Sequence, residues 1–228
     1  MSKMINQGDD LAALYRIRFA DSARVRKEAI WKVLCDDFFS KFVLKSDVVL
    51  DLACGYGEFI NNITAGSRIG VDLNPDSRSC LHPGIAFFQS RADDLTSIEA
   101  GSVDVVFTSN FLEHLPDKTA LMSVFAAIYR VLKPGGRFVV MGPNVRYLPG
   151  EYWDFLDHTL PLTHVSLCEG LQLAGFEPQV VHKKFLPYTT QGALPTHPLL
   201  VKVYLRVPFA WRLLGKQFFV VAQKSLQK

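Results

Sequence analysis

Residues 48–57, Val-Val-Leu-Asp-Leu-Ala-Cys-Gly-Tyr-Gly, join an apolar run of strand length to an acid and then to two glycines separated by one residue. Val48, Val49, Leu50 and Leu52 show no polar alternation, which suits a strand covered on both faces. Gly55 and Gly57 permit a turn whose backbone N–H groups come close to a ligand. The segment therefore predicts the first strand of an open α/β sheet with a ligand loop at its carboxyl end.

Charge narrows the ligand. A dinucleotide fingerprint needs a third glycine where Ile60 stands, and a phosphate loop needs Gly-Lys-Ser/Thr, which is absent. Asp51 and Glu58 flank the turn; two carboxylates repel a pyrophosphate but favour an ammonium or sulfonium. The pattern Asp51-x-Ala53-x-Gly55-x-Gly57 resembles the glycine-rich first motif of class I S-adenosylmethionine (SAM)-dependent methyltransferases.

A second strand is expected over Arg68–Pro75 and a helix over Glu58–Thr64, closed by Gly66 as the residue after its C-cap. Asp72, with Leu73 beside it, ends that strand, where doubly wound nucleotide sites place the acid that grips a ribose diol; a turn-forming Asp before Asn-Pro is the plainer reading. The third strand, Ile85–Gln89, leads into Ser-Arg-Ala-Asp-Asp-Leu95. The resemblance implies an Asp-Ala pair here for adenine, but Arg91-Ala92 stands in its place. Ala92 is then joined either by Asp93 or by backbone groups alone. The fourth strand, Val103–Ser109, ends in Asn110-Phe-Leu-Glu-His-Leu115, which resembles the fourth motif of small-molecule methyltransferases and brings Asn110 to the cofactor. The signatures of base amino-methylation (Asn/Asp-Pro-Pro-aromatic) and of cytosine attack (Pro-Cys) are absent, so nucleic acid is not the expected substrate. Some quinone O-methyltransferases hold a metal with an acid followed by Glu-His; Asn110 replaces that acid, so no metal is expected and Glu113 and His114 are read as supporting groups. A helix over Leu121–Leu132, the turn Lys133-Pro-Gly-Gly136 and a fifth strand over 137–142 complete the resemblance, which covers residues 45–142.

In folds of this kind, chemistry is varied in the loops beyond the strand ends. The connection Gly142–His158 is rich in aromatic and polar residues. Tyr152 and Trp153 suit stacking on a ring, Asn144, Arg146 and Glu151 suit polar substituents, and His158 suits removal of a hydroxyl proton, with Asp154, Asp157 and His164 as rivals. Near the N-terminus two helices are expected between Asp10 and Phe42, capped between them by Asp21 or Ser22, with Tyr15, Arg16 and Arg18 as candidates for the cofactor carboxylate. After a helix over 166–175 and a strand near 177–181, an insertion over 184–215 precedes a last strand over 217–223. Pro208 splits its latter part into two short basic, aromatic helical pieces, which either pack on the sheet or present a lid, partner or membrane face.

Eight basic residues and no acid follow Glu177, so all 22 acidic residues lie before that basic tail, an asymmetry that suits an anionic partner or a solvated face. The four cysteines form no Cys-x-x-Cys pair, no apolar run reaches membrane-span length, and the first ten residues show no secretory core, so a reduced, cytoplasmic setting is expected.

Together these readings give one domain over 1–228: N-terminal helices to 44, a cofactor core over 45–142 and a substrate-side half over 143–228. Its expected fold is a doubly wound, mostly parallel seven-stranded sheet. The resemblance implies SAM as cofactor, S-adenosylhomocysteine as product, and a small-molecule acceptor, with a glycan-like hydroxyl favoured. A membrane-associated enzyme acting on a lipid-linked or quinone-like acceptor, in peripheral contact with anionic lipid, and a non-catalytic SAM-binding subunit stay open.

Overall fold

The computed structural model describes residues 21–188 and 197–226, with side chains from Arg26 onward. Tyr15, Arg16, Arg18, the first expected helix and the capping side chains of Asp21 and Ser22 lie outside that description. Helix α1 (Asp21–Asp37) is followed by β1 (Val48–Leu52), β2 (Ser67–Asp72), the single-turn α2 (Ser77–Cys80), β3 (Ala86–Gln89) and β4 (Val103–Ser109). Then come α3 (Lys118–Val131), β5 (Leu132–Pro143), α4 (His164–Leu173), β6 (Phe176–His182), α5 (Pro198–Leu205), α6 (Pro208–Leu214) and β7 (Gln217–Lys224).

The strands form one seven-stranded sheet in the order β3-β2-β1-β4-β5-β7-β6. Strands β1 to β5 are parallel, and β7 runs antiparallel between β5 and β6. The winding reverses between β1 and β4, and a crevice outside the carboxyl ends of those two strands is where such sheets bind ligands. Alternation along the strands divides the core. Leu50, Leu52, Val106, Phe138 and Val220 face α3 and α4, packing with Phe125, Ile128 and Leu167. Val49, Phe107, Val139 and Phe219 face the other layer, with Phe38, Phe39, Phe59, Phe185 and Trp211. Rings carry much of that second layer: Phe59 stacks on Phe107 at 3.7 Å and Phe38 on Phe185 at 4.3 Å between centroids.

Local chemistry moves several boundaries. Asp117 accepts the Ala120 N–H, so α3 starts at Lys118 rather than near Leu121. Thr163 and Ser166 form a reciprocal capping box that starts α4 at His164. Lys133–Gly136 loop out opposite Asp104 within β5, because Leu132 pairs with Val103 and Arg137 with Val105; the Lys133 ammonium holds both Asp104 oxygens at 2.8 Å.

The helix expected over 58–64 is instead a chain of turns. The side chains of Asn61 and Asn62 draw on nearby backbone: Asn61 Nδ2 donates to the Cys80 carbonyl, its Oδ1 accepts from His82, and Asn62 donates to the Glu58 carbonyl. Such bonds compete with helix continuation. Gly66 is not left-handed; it is needed because a Cβ there would lie 2.9 Å from the Ser46 carbonyl oxygen.

Candidate active site

The β1 turn is built as its glycines require. Gly55 and Gly57 have φ of +53° and +79°, and a Cβ on Gly57 would meet Leu81 at 2.6 Å. Two non-glycine residues also have positive φ: Ala53 at +57° and Asn110 at +49°. They end β1 and β4, the two sides of the crevice, at a cost of about 1–2 kcal/mol each. Backbone strain thus falls on two residues that the sequence assigned to the cofactor.

Asp72 ends β2 beside this turn. One of its oxygens accepts the Gly55 N–H and the other the Asn74 N–H, each at 2.8 Å. These bonds hold the carboxylate rigid and make Asp72 a former of the turn at the β1–β2 crevice. Burial raises its pKa against the opposing effect of these N–H groups. Asp51, fully buried and accepting the Ile60 N–H, is raised far more, by burial first and by the Glu58 charge next. Crowded acids that titrate upward are the setting in which a cationic ligand gains most.

Leu73 and Ala92 are half-buried at the β2 and β3 ends. Asp93 lies in a surface pair in which Arg91 engages both of its carboxylate oxygens at 2.9 Å, so of the two alternatives for the adenine amine a backbone carbonyl near Ala92 is the less encumbered acceptor.

The loop after β5 divides into two groups. In one, Asn144 is fully buried and donates to the Lys183 carbonyl at 2.8 Å, with its amide 3.0 Å from His164 Nδ1. Asn144 therefore anchors the loop instead of offering itself to an acceptor. Burial, then Arg146 and Lys183, lower the His164 pKa. Arg146 and Asp154 are exposed, and Glu151 is paired with Lys216.

The second group joins residues from distant parts of the chain. Glu113, His114 and His158 bring one donor atom each to within 4.8 Å of one another. His158 Nδ1 lies 2.9 Å from the Tyr152 carbonyl, and His114 Nδ1 lies 3.1 Å from the Asp157 carbonyl and 3.2 Å from its carboxylate. Each Nδ1 is thus placed to donate to a backbone carbonyl. Among the described residues this is the one grouping able to share a cation, and it takes His158 from the loop after β5, far in sequence from the Glu113-His114 pair. Tyr152 is fully buried against the His158 ring, with its hydroxyl unpartnered, so it is not a free stacking platform; Trp153 beside it is exposed.

Burial, reinforced by Asp157, raises the Glu113 carboxyl to about 7, with His114 opposing the shift. Burial works against the His114 imidazolium, but the Asp157 hydrogen bond and the Glu113 and Asp157 charges outweigh it, so its pKa is raised. Both folded pKa values lie above the unfolded ones, so both contributions are present at acid pH and are lost as pH rises through the folded values. As Glu113 ionises, stability is expected to fall between about pH 4.5 and pH 7, by about 3 kcal/mol. Denaturant titrations of Glu113→Gln should show a flatter profile; an unchanged slope would contradict the assignment.

The glycine turn after β1, the acid after β2 and the reversal between β1 and β4 are common to doubly wound nucleotide-binding folds, and the antiparallel β7 between β5 and β6 gives the arrangement of the class I SAM-dependent methyltransferase fold. Residues 50–140 match the family described as a methyltransferase domain. A probable S-adenosylmethionine-dependent methyltransferase of Mycolicibacterium smegmatis is 33% identical over 136 residues, covering 57% of this chain and 51% of that protein. A ubiquinone biosynthesis O-methyltransferase of Methylococcus capsulatus is 30% identical over 155 residues, covering 56% and 64%. A crystal structure of a SAM-dependent methyltransferase from Archaeoglobus fulgidus superposes with a TM-score of 0.64 over 94% of this chain and 99% of that one, at 21% identity. The core over residues 50–140 is thus similar in sequence to the methyltransferase domain, and the whole described chain shares the fold of SAM-dependent methyltransferases, enzymes whose cofactor is SAM. The chain spans only about half to two thirds of the length of these two sequence relatives.

Proposed function

We propose that the chain transfers a methyl group from SAM to a hydroxyl oxygen of a small molecule, and that His158 removes the hydroxyl proton. The observation that carries this reading is the convergence of His158, Glu113 and the unpartnered Tyr152 hydroxyl in one buried cluster. Asp51, Ala53, Gly55, Gly57, Asp72, Leu73, Ala92 and Asn110 would hold the cofactor, which supplies a methyl group already activated on a sulfonium. The protein's own task is to bind, orient and deprotonate the acceptor. His158, fixed through Nδ1, offers Nε2 to the proton. The nearby Glu113 carboxylate, when ionised, stabilises the resulting imidazolium, and the Tyr152 O–H can donate to the acceptor oxygen.

Of the acceptors considered, a phenolic or enolic hydroxyl on a largely apolar molecule is better supported than a glycan. Asn144 and Glu151, two of the residues suited to the polar substituents of a sugar, are engaged within the protein, while Trp153 and Leu156 remain exposed. A phenolic proton, with a pKa near 10, is also closer to an imidazole than that of an aliphatic alcohol. A relative named for O-methylation in ubiquinone biosynthesis points the same way.

Transfer of labelled methyl from SAM to a panel of phenols and sugars tests the reading. Label is expected in phenols and should persist in a chelator. Label in sugars alone would refute the acceptor class. Loss in chelator with recovery on adding a divalent cation would favour a second reading, in which Glu113, His114 and His158 hold a metal. Silence alongside SAM binding would favour a non-catalytic subunit.

Tyr152→Phe separates support from chemistry by sign. Removing a buried, unpartnered hydroxyl should stabilise the protein by about 1–3 kcal/mol while lowering kcat. A variant that is both less stable and equally active would contradict the role given to the hydroxyl.

A further inference from the structure

We propose that the outer face of α5 and α6 docks on an anionic lipid surface. These helices are fixed to the body by their inner sides: Leu205 and Trp211 are buried, the Trp211 indole N–H donates to the Tyr204 carbonyl at 2.9 Å, and Lys202 lies 3.4 Å from Asp37. Their outer sides are apolar. Leu199 is 62% exposed, Val203 52%, Phe209 65% and Leu213 67%. Spacings of three and four residues line up Leu199, Leu200 and Val203 on the first helix and Phe209 with Leu213 on the second, with the exposed Val207 in the link between them. Isolated exposed apolar residues need no explanation, but a run of them on two consecutive helices does.

The charges on this surface select the occupant. Arg206 and Arg212 are exposed between the apolar residues and, among the described residues, have no acidic partner. No acid follows Glu177 anywhere in this part of the sequence. A second copy docking through the same face would bring like charges together. A bilayer carrying anionic headgroups accepts both the guanidinium groups and the apolar side chains between them. The face also adjoins the substrate side: Lys216, just after α6, pairs with Glu151, in the loop that exposes Trp153 and Leu156. Docking would bring the acceptor loop to the lipid boundary. The proposal does not depend on which acceptor is methylated.

Flotation of the full chain, without SAM or acceptor, with vesicles of phosphatidylcholine or of phosphatidylcholine and phosphatidylglycerol tests it. Binding to the anionic vesicles alone, weakened by salt, is expected. Arg206→Ala with Arg212→Ala should weaken it roughly 30-fold, and Val203→Asp with Phe209→Asp should abolish it. Leu173→Asp, at an exposed apolar residue of α4, should leave it unchanged, with circular dichroism confirming that each variant is folded. No binding to anionic vesicles, equal binding to neutral ones, or insensitivity to the four substitutions would overturn the proposal. So would a dimer in solution that Val203→Asp with Phe209→Asp dissociates.

Discussion

His158→Gln is expected to lower kcat by about 10²–10⁴, the range for loss of a positioned general base, with SAM affinity unchanged. The residue is buried and its ring is oriented by the contact of Nδ1 with the Tyr152 carbonyl. Glutamine preserves a polar group of similar reach but cannot take the proton at neutral pH. The loss should be greatest for weakly acidic hydroxyls and smaller for acceptors already ionised at the assay pH. That dependence separates a base from a group that merely supports the loop. A uniform loss across acceptors, or none, would remove His158 from the proposed mechanism.

The second large effect is expected at Asp72. Asp72→Ala should weaken SAM binding by about 1–3 kcal/mol, or roughly 5- to 150-fold, through loss of charge-assisted hydrogen bonds to the ribose. Because the carboxylate also holds the Gly55 and Asn74 N–H groups, the turn itself should loosen and thermal stability should fall. A ligand lacking one ribose hydroxyl distinguishes the contributions. Calorimetry with 2′-deoxy-S-adenosylhomocysteine should show a smaller penalty for the substitution than the natural product does. Equal penalties would mean that Asp72 acts only by shaping the turn.

Much of the cofactor side was legible in the sequence because each feature is local. An apolar run, two glycines and an acid at the next strand end fix a turn whatever the rest of the chain does, and the strands at 48–52 and 103–109 lie where their composition puts them. The helix expected over 58–64 failed because Asn61 bonds to the distant backbone of Cys80 and His82 and Asn62 to the Glu58 carbonyl, which periodicity does not register. The acceptor side was less legible because its central grouping is assembled across the fold. Glu113 and His114 follow β4, while His158 belongs to the loop beyond β5, and no spacing rule connects them. The polar loop residues read as substrate contacts were chosen by chemical type. Burial turned Asn144 and Tyr152 inward, and Lys216, which lies beyond the insertion, occupied Glu151.

The most direct measurement is a crystal structure of the chain with S-adenosylhomocysteine. The expected result is the nucleoside in the crevice at the carboxyl ends of β1 and β4, with its ribose on Asp72 and its sulfur turned toward the Glu113–His158 cluster. A nucleoside bound elsewhere, or a sulfur facing away from that cluster, would contradict the proposed site.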